Sequence, residues 1–115
     1  DLHSFPTRRS SDLDLTLFEF FQTDVSGHSM DYERACEVLR VYDQFLATLV
    51  RFAENAGITL IMTADHGNIE NMSERGHSLN PVPFIVRGPK EREILNSVDS
   101  LVDVTPAILA IFDDK

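Results

Sequence analysis

A single cysteine, Cys36, is all the thiol this 115-residue chain carries, which excludes an internal disulfide and any metal centre built on several thiolates. Basic residues are scarce too. Ten lysines and arginines stand against 19 aspartates and glutamates, a formal net charge of −9. That balance disfavours nucleic acid and anionic membrane as partners. It leaves phosphate esters open to a chain that holds a metal to supply positive charge locally. No apolar run approaches the roughly 20 residues of a membrane span, and no apolar signal segment opens the chain. Internal repeats and low-complexity tracts are absent as well. A reducing, cytoplasmic setting is the default these absences imply. What remains is ordinary globular composition, 43% apolar and 25% charged, at a length that fits one small domain with one core.

The chain is organised around Thr63-Ala64-Asp65-His66-Gly67-Asn68, which succeeds the apolar run Ile58-Thr59-Leu60-Ile61-Met62. A short β-branched and apolar run ending in Asp-His-Gly predicts a buried strand that delivers two ligands to a loop at its carboxyl end. A carboxylate beside an imidazole must be desolvated or left facing water, yet the pair suits a divalent cation. Alone it is weak, since a loop Asp-His pair commonly has no ligand at all. Two further clusters add weight: Asp24-Val25-Ser26-Gly27-His28 and Gly76-His77-Ser78-Leu79-Asn80-Pro81.

Residues 1–13 show neither the helical nor the strand period and look foreign to the rest of the chain. They resemble one reading frame of a short-read sequencing adapter across all thirteen positions, which makes them a non-native arm joined to a gene fragment. The alternative is a disordered N-terminal arm with a small Arg8-Arg9 patch. On the first reading the true protein began upstream. Residues 15–21 are aromatic and alternate, which predicts a strand running to about residue 23. Asp-x-x-Gly-His then reads as a turn in which Gly27 takes positive φ and aims Asp24 and His28 at one point. Over 31–55, apolar residues at Ala35, Val38, Leu39, Tyr42, Phe45, Leu46, Leu49 and Ala53 predict an amphipathic helix, capped by Ser29 or Asp31 and ended by Gly57. Strand, helix, strand is a βαβ unit, so the strands at 15–23 and 58–64 are expected to be parallel with a right-handed crossover. Residues 81–88 predict a short strand, 90–96 a charged surface segment, and Asp103 with Pro106 the start of a last helix.

Read together and in order, Asp-x-x-Gly-His, Thr-Ala-Asp-His-Gly-Asn and His-Ser-x-Asn-Pro-Val-Pro resemble the alkaline phosphatase superfamily. The resemblance is nearest to the C-terminal part of the metalloenzyme domain found in cofactor-independent phosphoglycerate mutases, and it covers residues 15–112. It implies an α/β fold, with residues 14–115 a fragment of an alkaline-phosphatase-like sheet flanked by helices and containing one βαβ unit. It also implies two divalent ions, manganese or zinc, and a small phosphorylated substrate. One ion would take Asp24, His28 and His77. The other would take Asp65 and His66, with an aspartate and a serine or threonine nucleophile that have no match here and are expected upstream of Asp14.

The segment from Asn68 to His77 is shorter than the mutase pattern leads one to expect, and Ser29-Met30-Asp31 replaces the usual small polar residues. Three readings stay open on residues alone. The parent is a phosphoryl-transferring isomerase of the mutase kind, or a hydrolase such as a metal-dependent phosphatase, or a phosphopentomutase-like enzyme. A second class is a non-catalytic metal-binding fragment. A third, an interaction domain with incidental histidines, predicts no metal uptake. Oligomeric state is not legible.

Overall fold

The computed structural model describes residues 13–113. The arm expected at 1–13 lies, apart from Leu13, outside the described residues. Two helices come first, α1 at Gln22–Ser29 and α2 at Tyr32–Ala56. Next come strand β1 at Leu60–Thr63, strand β2 at Phe84–Arg87, helix α3 at Glu91–Ser97, a 3-10 turn at Leu101–Asp103 and helix α4 at Val104–Asp113. The fold is therefore mixed α/β, a small sheet flanked by helices.

Helix α2 forms where its stripe predicts, and both ends have a physical cause. The Asp31 carboxylate accepts the Arg34 N–H at 3.0 Å, satisfying one of the orphan donors of the first turn. At the other end Gly57 adopts φ +66°, and Ile58 donates to the Ala53 carbonyl at 2.9 Å. Such a closure requires a left-handed residue, which glycine supplies without a Cβ clash.

The expected βαβ unit is not what the chain builds. Residues 15–20 carry no strand, and the one sheet among the described residues joins β1 to β2 in antiparallel register, Leu60 opposite Arg87 through Thr63 opposite Phe84. A strand exists only where a neighbour accepts its ladder of hydrogen bonds, and among the described residues no strand pairs with 15–20. Their aromatic side chains settle on α2 instead: Phe18 lies 5.2 Å from Phe45 and Phe20 stacks on Tyr42 at 4.7 Å, centroid to centroid. Burial there pushes the Tyr42 phenol up from its ordinary pKa. Phe18 and Phe21 remain more than half exposed.

The Asp-x-x-Gly-His segment also differs from expectation. It is helix, not turn, and Gly27 does not take positive φ. Helical spacing places Asp24 and His28 one turn apart on the same face, which achieves the convergence by another route.

The core lies where α3 and α4 meet the sheet. Val86, Ile94 and Ala107 form its buried centre, with Ile61, Phe84, Val98 and Ile111 packed around them. Residues 90–96, read as a surface segment, thus belong to a helix whose Ile94 is 1% exposed. The apolar residues of this charged stretch are the adjacent pair Ile94 and Leu95, which gives no period to be seen in sequence. Asp103 acts in the 3-10 turn Leu101–Asp103 that leads into α4, as the third residue of that turn's capping box. Its carboxylate accepts the Ser100 N–H at 2.9 Å and the Asp99 N–H at 3.1 Å, while Ser100 is the cap residue. Those hydrogen bonds hold the Asp103 carboxyl below the usual aspartate range. No helix among the described residues is long and apolar enough to cross a membrane.

Candidate metal centre

Three segments meet at one carboxylate oxygen. Asp24 and His28 come from α1, while Asp65, His66 and His77 all come from the long connection between β1 and β2. That connection begins and ends at the same end of the antiparallel pair, so its residues stay together. Asp24 Oδ1 lies 3.3 Å from His28 Nε2, 3.5 Å from His77 Nε2 and 3.8 Å from His66 Nε2. Asp24, His28 and His77 each offer a ligand atom within 4.8 Å of the others. His66 stands against this triad, its ring stacked on His77 at 3.4 Å with the planes 13° apart. Asp65 is at the margin: its carboxylate reaches His66 Nε2 at 3.5 Å, but the side chain is 88% exposed.

The hydrogen bonds on the far sides of the rings decide what the near sides can do. His28 Nδ1 lies 2.5 Å from the Arg75 carbonyl oxygen, and His66 Nδ1 lies 3.3 Å from the Gly67 carbonyl. A carbonyl only accepts, so in each ring a proton sits on Nδ1, and in the neutral ring Nε2 then presents a lone pair. Both lone pairs then face a carboxylate oxygen. Acceptors facing acceptors repel unless a cation lies between them, and two protonated rings could not stack at 3.4 Å without strong repulsion. The donor set therefore fits a divalent cation. Outer carbonyl contacts of this kind fix tautomer and ring orientation in histidine metal sites.

Asn68 completes the support. It is 4% exposed and donates Nδ2–H to Asp24 Oδ1 at 3.1 Å, holding the carboxylate from behind. Its Oδ1 is buried and has no hydrogen-bond partner. The amide occupies the space a Cβ at Gly27 would need. Gly27 is glycine, then, for close approach and not for backbone angle. In sequence Asn68 reads as a turn residue, because only the 44-residue span to Asp24 reveals its role. Glu70, hidden in a polar loop, accepts from the Asn68 N–H at 2.7 Å, from Asn80 Nδ2 at 3.0 Å and from the Ser78 hydroxyl. The Ser78 bond above all holds its carboxyl down to about 2.

The two serines nearest the site are both engaged. Ser26 is fully buried and donates to the Gln22 carbonyl at 2.6 Å, and Ser78 donates to Glu70.

Comparison with known proteins places these residues in context. A model of the metalloenzyme superfamily matches residues 7–114, beginning inside the segment read as foreign. The 2,3-bisphosphoglycerate-independent phosphoglycerate mutase of Ehrlichia ruminantium (strain Gardel) is 35% identical over 109 residues, covering 88% of this chain and 21% of that protein. Its counterpart in Thermosynechococcus vestitus is 34% identical over 113 residues, covering 86% and 21%. That of Mycoplasma genitalium is 30% identical over 105 residues, covering 86% and 20%. The chain spans about a fifth of the length of these relatives. No solved structure matches it.

Proposed function

Because the chain belongs to the metalloenzyme superfamily, we propose that it is the C-terminal, metal-holding part of an enzyme that transfers a phosphoryl group on a small phosphorylated substrate, as an isomerase of the phosphoglycerate mutase kind. The observation that supports this reading is the gathering of three imidazole Nε2 atoms around Asp24 Oδ1, with carbonyl oxygens at the Nδ1 atoms of His28 and His66.

Asp24, His28 and His77 hold one divalent ion, and Asp65 and His66 contribute to a second. Mixed carboxylate and imidazole donors suit manganese or zinc. When bound, such ions neutralise the charge that spreads over phosphoryl oxygens in transfer and act as Lewis acids toward them. The chain's own residues do the rest. Carbonyl oxygens at the Nδ1 atoms of His28 and His66 favour the Nδ1–H tautomer, which turns the Nε2 lone pairs toward the site. Asn68 keeps Asp24 from turning away. Ser26 is fully buried and Ser78 follows the ligand His77 in the chain, and neither stands in the family's nucleophile context, so the hydroxyl to be phosphorylated is placed elsewhere in the parent. A cytoplasmic location accompanies this reading, as does the absence of nucleic-acid and membrane partners.

The test uses the chain as it stands. Calorimetric titration with zinc and with manganese should show uptake that Asp24→Ala abolishes, and hydrolysis of an aryl phosphate by the loaded chain should be near background. Uptake unaffected by Asp24→Ala would defeat the site assignment. Ordinary enzyme rates would show that a nucleophile lies within these residues after all.

A further inference from the structure

Glu70 takes no part in the triad, yet both of its carboxylate oxygens are engaged. Oε2 accepts the Asn68 N–H, and Oε1 accepts both the Ser78 hydroxyl and Asn80 Nδ2. One side chain therefore bridges the turn after His66 and the segment after His77. Beneath it, Ser78 donates its N–H to the Gly67 carbonyl at 2.9 Å, an isolated antiparallel bridge between the same two segments. His66 and His77 each precede a partner of that bridge, so their side chains are diagonal neighbours on the opposite face, near enough for aromatic rings to meet. A Cβ at Gly67 would run into the Ser78 hydroxyl and the Glu70 carboxylate. The space above Gly67 is thus already filled by this carboxylate and hydroxyl, on the side away from the stacked rings.

We infer that Glu70 is a positioning residue: its carboxylate fastens the His77 segment to the His66 turn and so sets the ring contact between His66 and His77 that the metal centre uses. Only the consequence for metal affinity rests on the function proposed above; the ring placement is a property of the metal-free chain. The backbone ties this segment at both ends, Asn71 N–H to the Asn68 carbonyl at 3.0 Å and Ser78 N–H to the Gly67 carbonyl at 2.9 Å, and His28 meets the Arg75 carbonyl between them. The bonds gathered on the Glu70 carboxylate add the side-chain link that joins the His66 turn to the residues just after His77. Outer-shell supports of this sort are generally worth about 10–100-fold in metal affinity.

The experiment compares the 115-residue chain with its Glu70→Ala, Glu70→Gln and Ser78→Ala variants. Imidazole ring proton and carbon shifts are recorded without metal at one neutral pH, and zinc is then titrated in. In Glu70→Ala the His66 and His77 shifts should lose the mutual ring-current displacement of a 3.4 Å stack, while the amides of Val86, Ile94 and Ala107, which lie in the core away from this loop, stay in place. Zinc affinity should fall by about 10–100-fold. Ser78→Ala should fall between Glu70→Ala and the parent chain. Glu70→Gln keeps the volume and an acceptor for Ser78 but cannot accept on both sides, and its rings should move partway; this variant decides the matter if Glu70→Ala does not fold. Rings that stay in place in a folded variant, or zinc held as tightly as by the parent chain, would overturn the inference. Displaced rings in a chain that binds no zinc at all would uphold the positioning role and sink the metal reading instead.

Discussion

Replacing Gly27 with alanine perturbs the centre without touching a ligand. The new methyl would collide with the Oδ1 and Cγ of Asn68, a side chain 4% exposed and tied to Asp24 by a 3.1 Å hydrogen bond. Backbone strain is not the issue, because Gly27 lies within a helix at ordinary angles. Asn68 has to give way. A hydrogen bond to a charged group is worth about 1.5–3 kcal/mol, and forcing extra volume into a packed site costs about 1–3 kcal/mol. Against these, alanine is favoured over glycine in a helix by about 1 kcal/mol. The Asn68 carbonyl, unpartnered where it now lies, also regains water on leaving. The net destabilisation expected is about 2–4 kcal/mol, read from urea unfolding monitored by circular dichroism. Gly76→Ala is the internal control: nothing lies within 4 Å of a Cβ there, and its effect should stay within about 0.5 kcal/mol. Gly27→Ala should also weaken zinc binding, because Asp24 loses its support. Coincident unfolding midpoints for the two variants would refute the packing argument, and zinc affinity unchanged in Gly27→Ala would refute the role given to Asn68.

His77→Ala should weaken zinc binding by removing one of the three groups that converge on a common point; calorimetry checks this, and an affinity equal to that of the parent chain would remove His77 from the ligand set. Asp103→Ala should lower the thermal midpoint at neutral pH. The folded-state pKa of Asp103 is depressed by the Ser100 and Asp99 bonds, so its contribution is present above the ordinary aspartate range and is lost as pH falls through the lower folded value. The gap between Asp103→Ala and the parent chain should therefore close on acidification, and a gap that persists would contradict the capping account. Deleting residues 1–13 should leave the thermal midpoint where it is, whereas a large drop would show that the arm is native to the fold.

Much of this protein is determined locally. Helix α2 is legible because its stripe repeats along the whole 25-residue element and its ends carry Asp31 and Gly57, residues whose side-chain acceptor and lack of Cβ act within three or four positions. Strand β1 ends at Thr63, just before Asp65 and His66, as its apolar run implies. The three clusters that hold the candidate ligands stand out in the sequence, and the structure gathers Asp24, His28, His66 and His77 from them while Asp65 stays at the margin. Tertiary structure decided how they meet. An alternating aromatic segment is a strand only if a partner offers hydrogen bonds, and at 15–20 the partner is the α2 surface, contacted through Phe18 and Phe20. Whether Asp24-Val25-Ser26-Gly27-His28 turns or coils depends on packing against α2, since glycine weakens a short helix that nothing else supports. The supporting residues were the least visible. Gly27 and Asn68 stand inside the sequence motifs and Glu70 in none, but what each supports is set by contacts of 8 to 44 positions, Glu70 with Ser78 and Asn68 with Asp24, which leave no period in the chain and exist only once the β1–β2 connection has closed on α1.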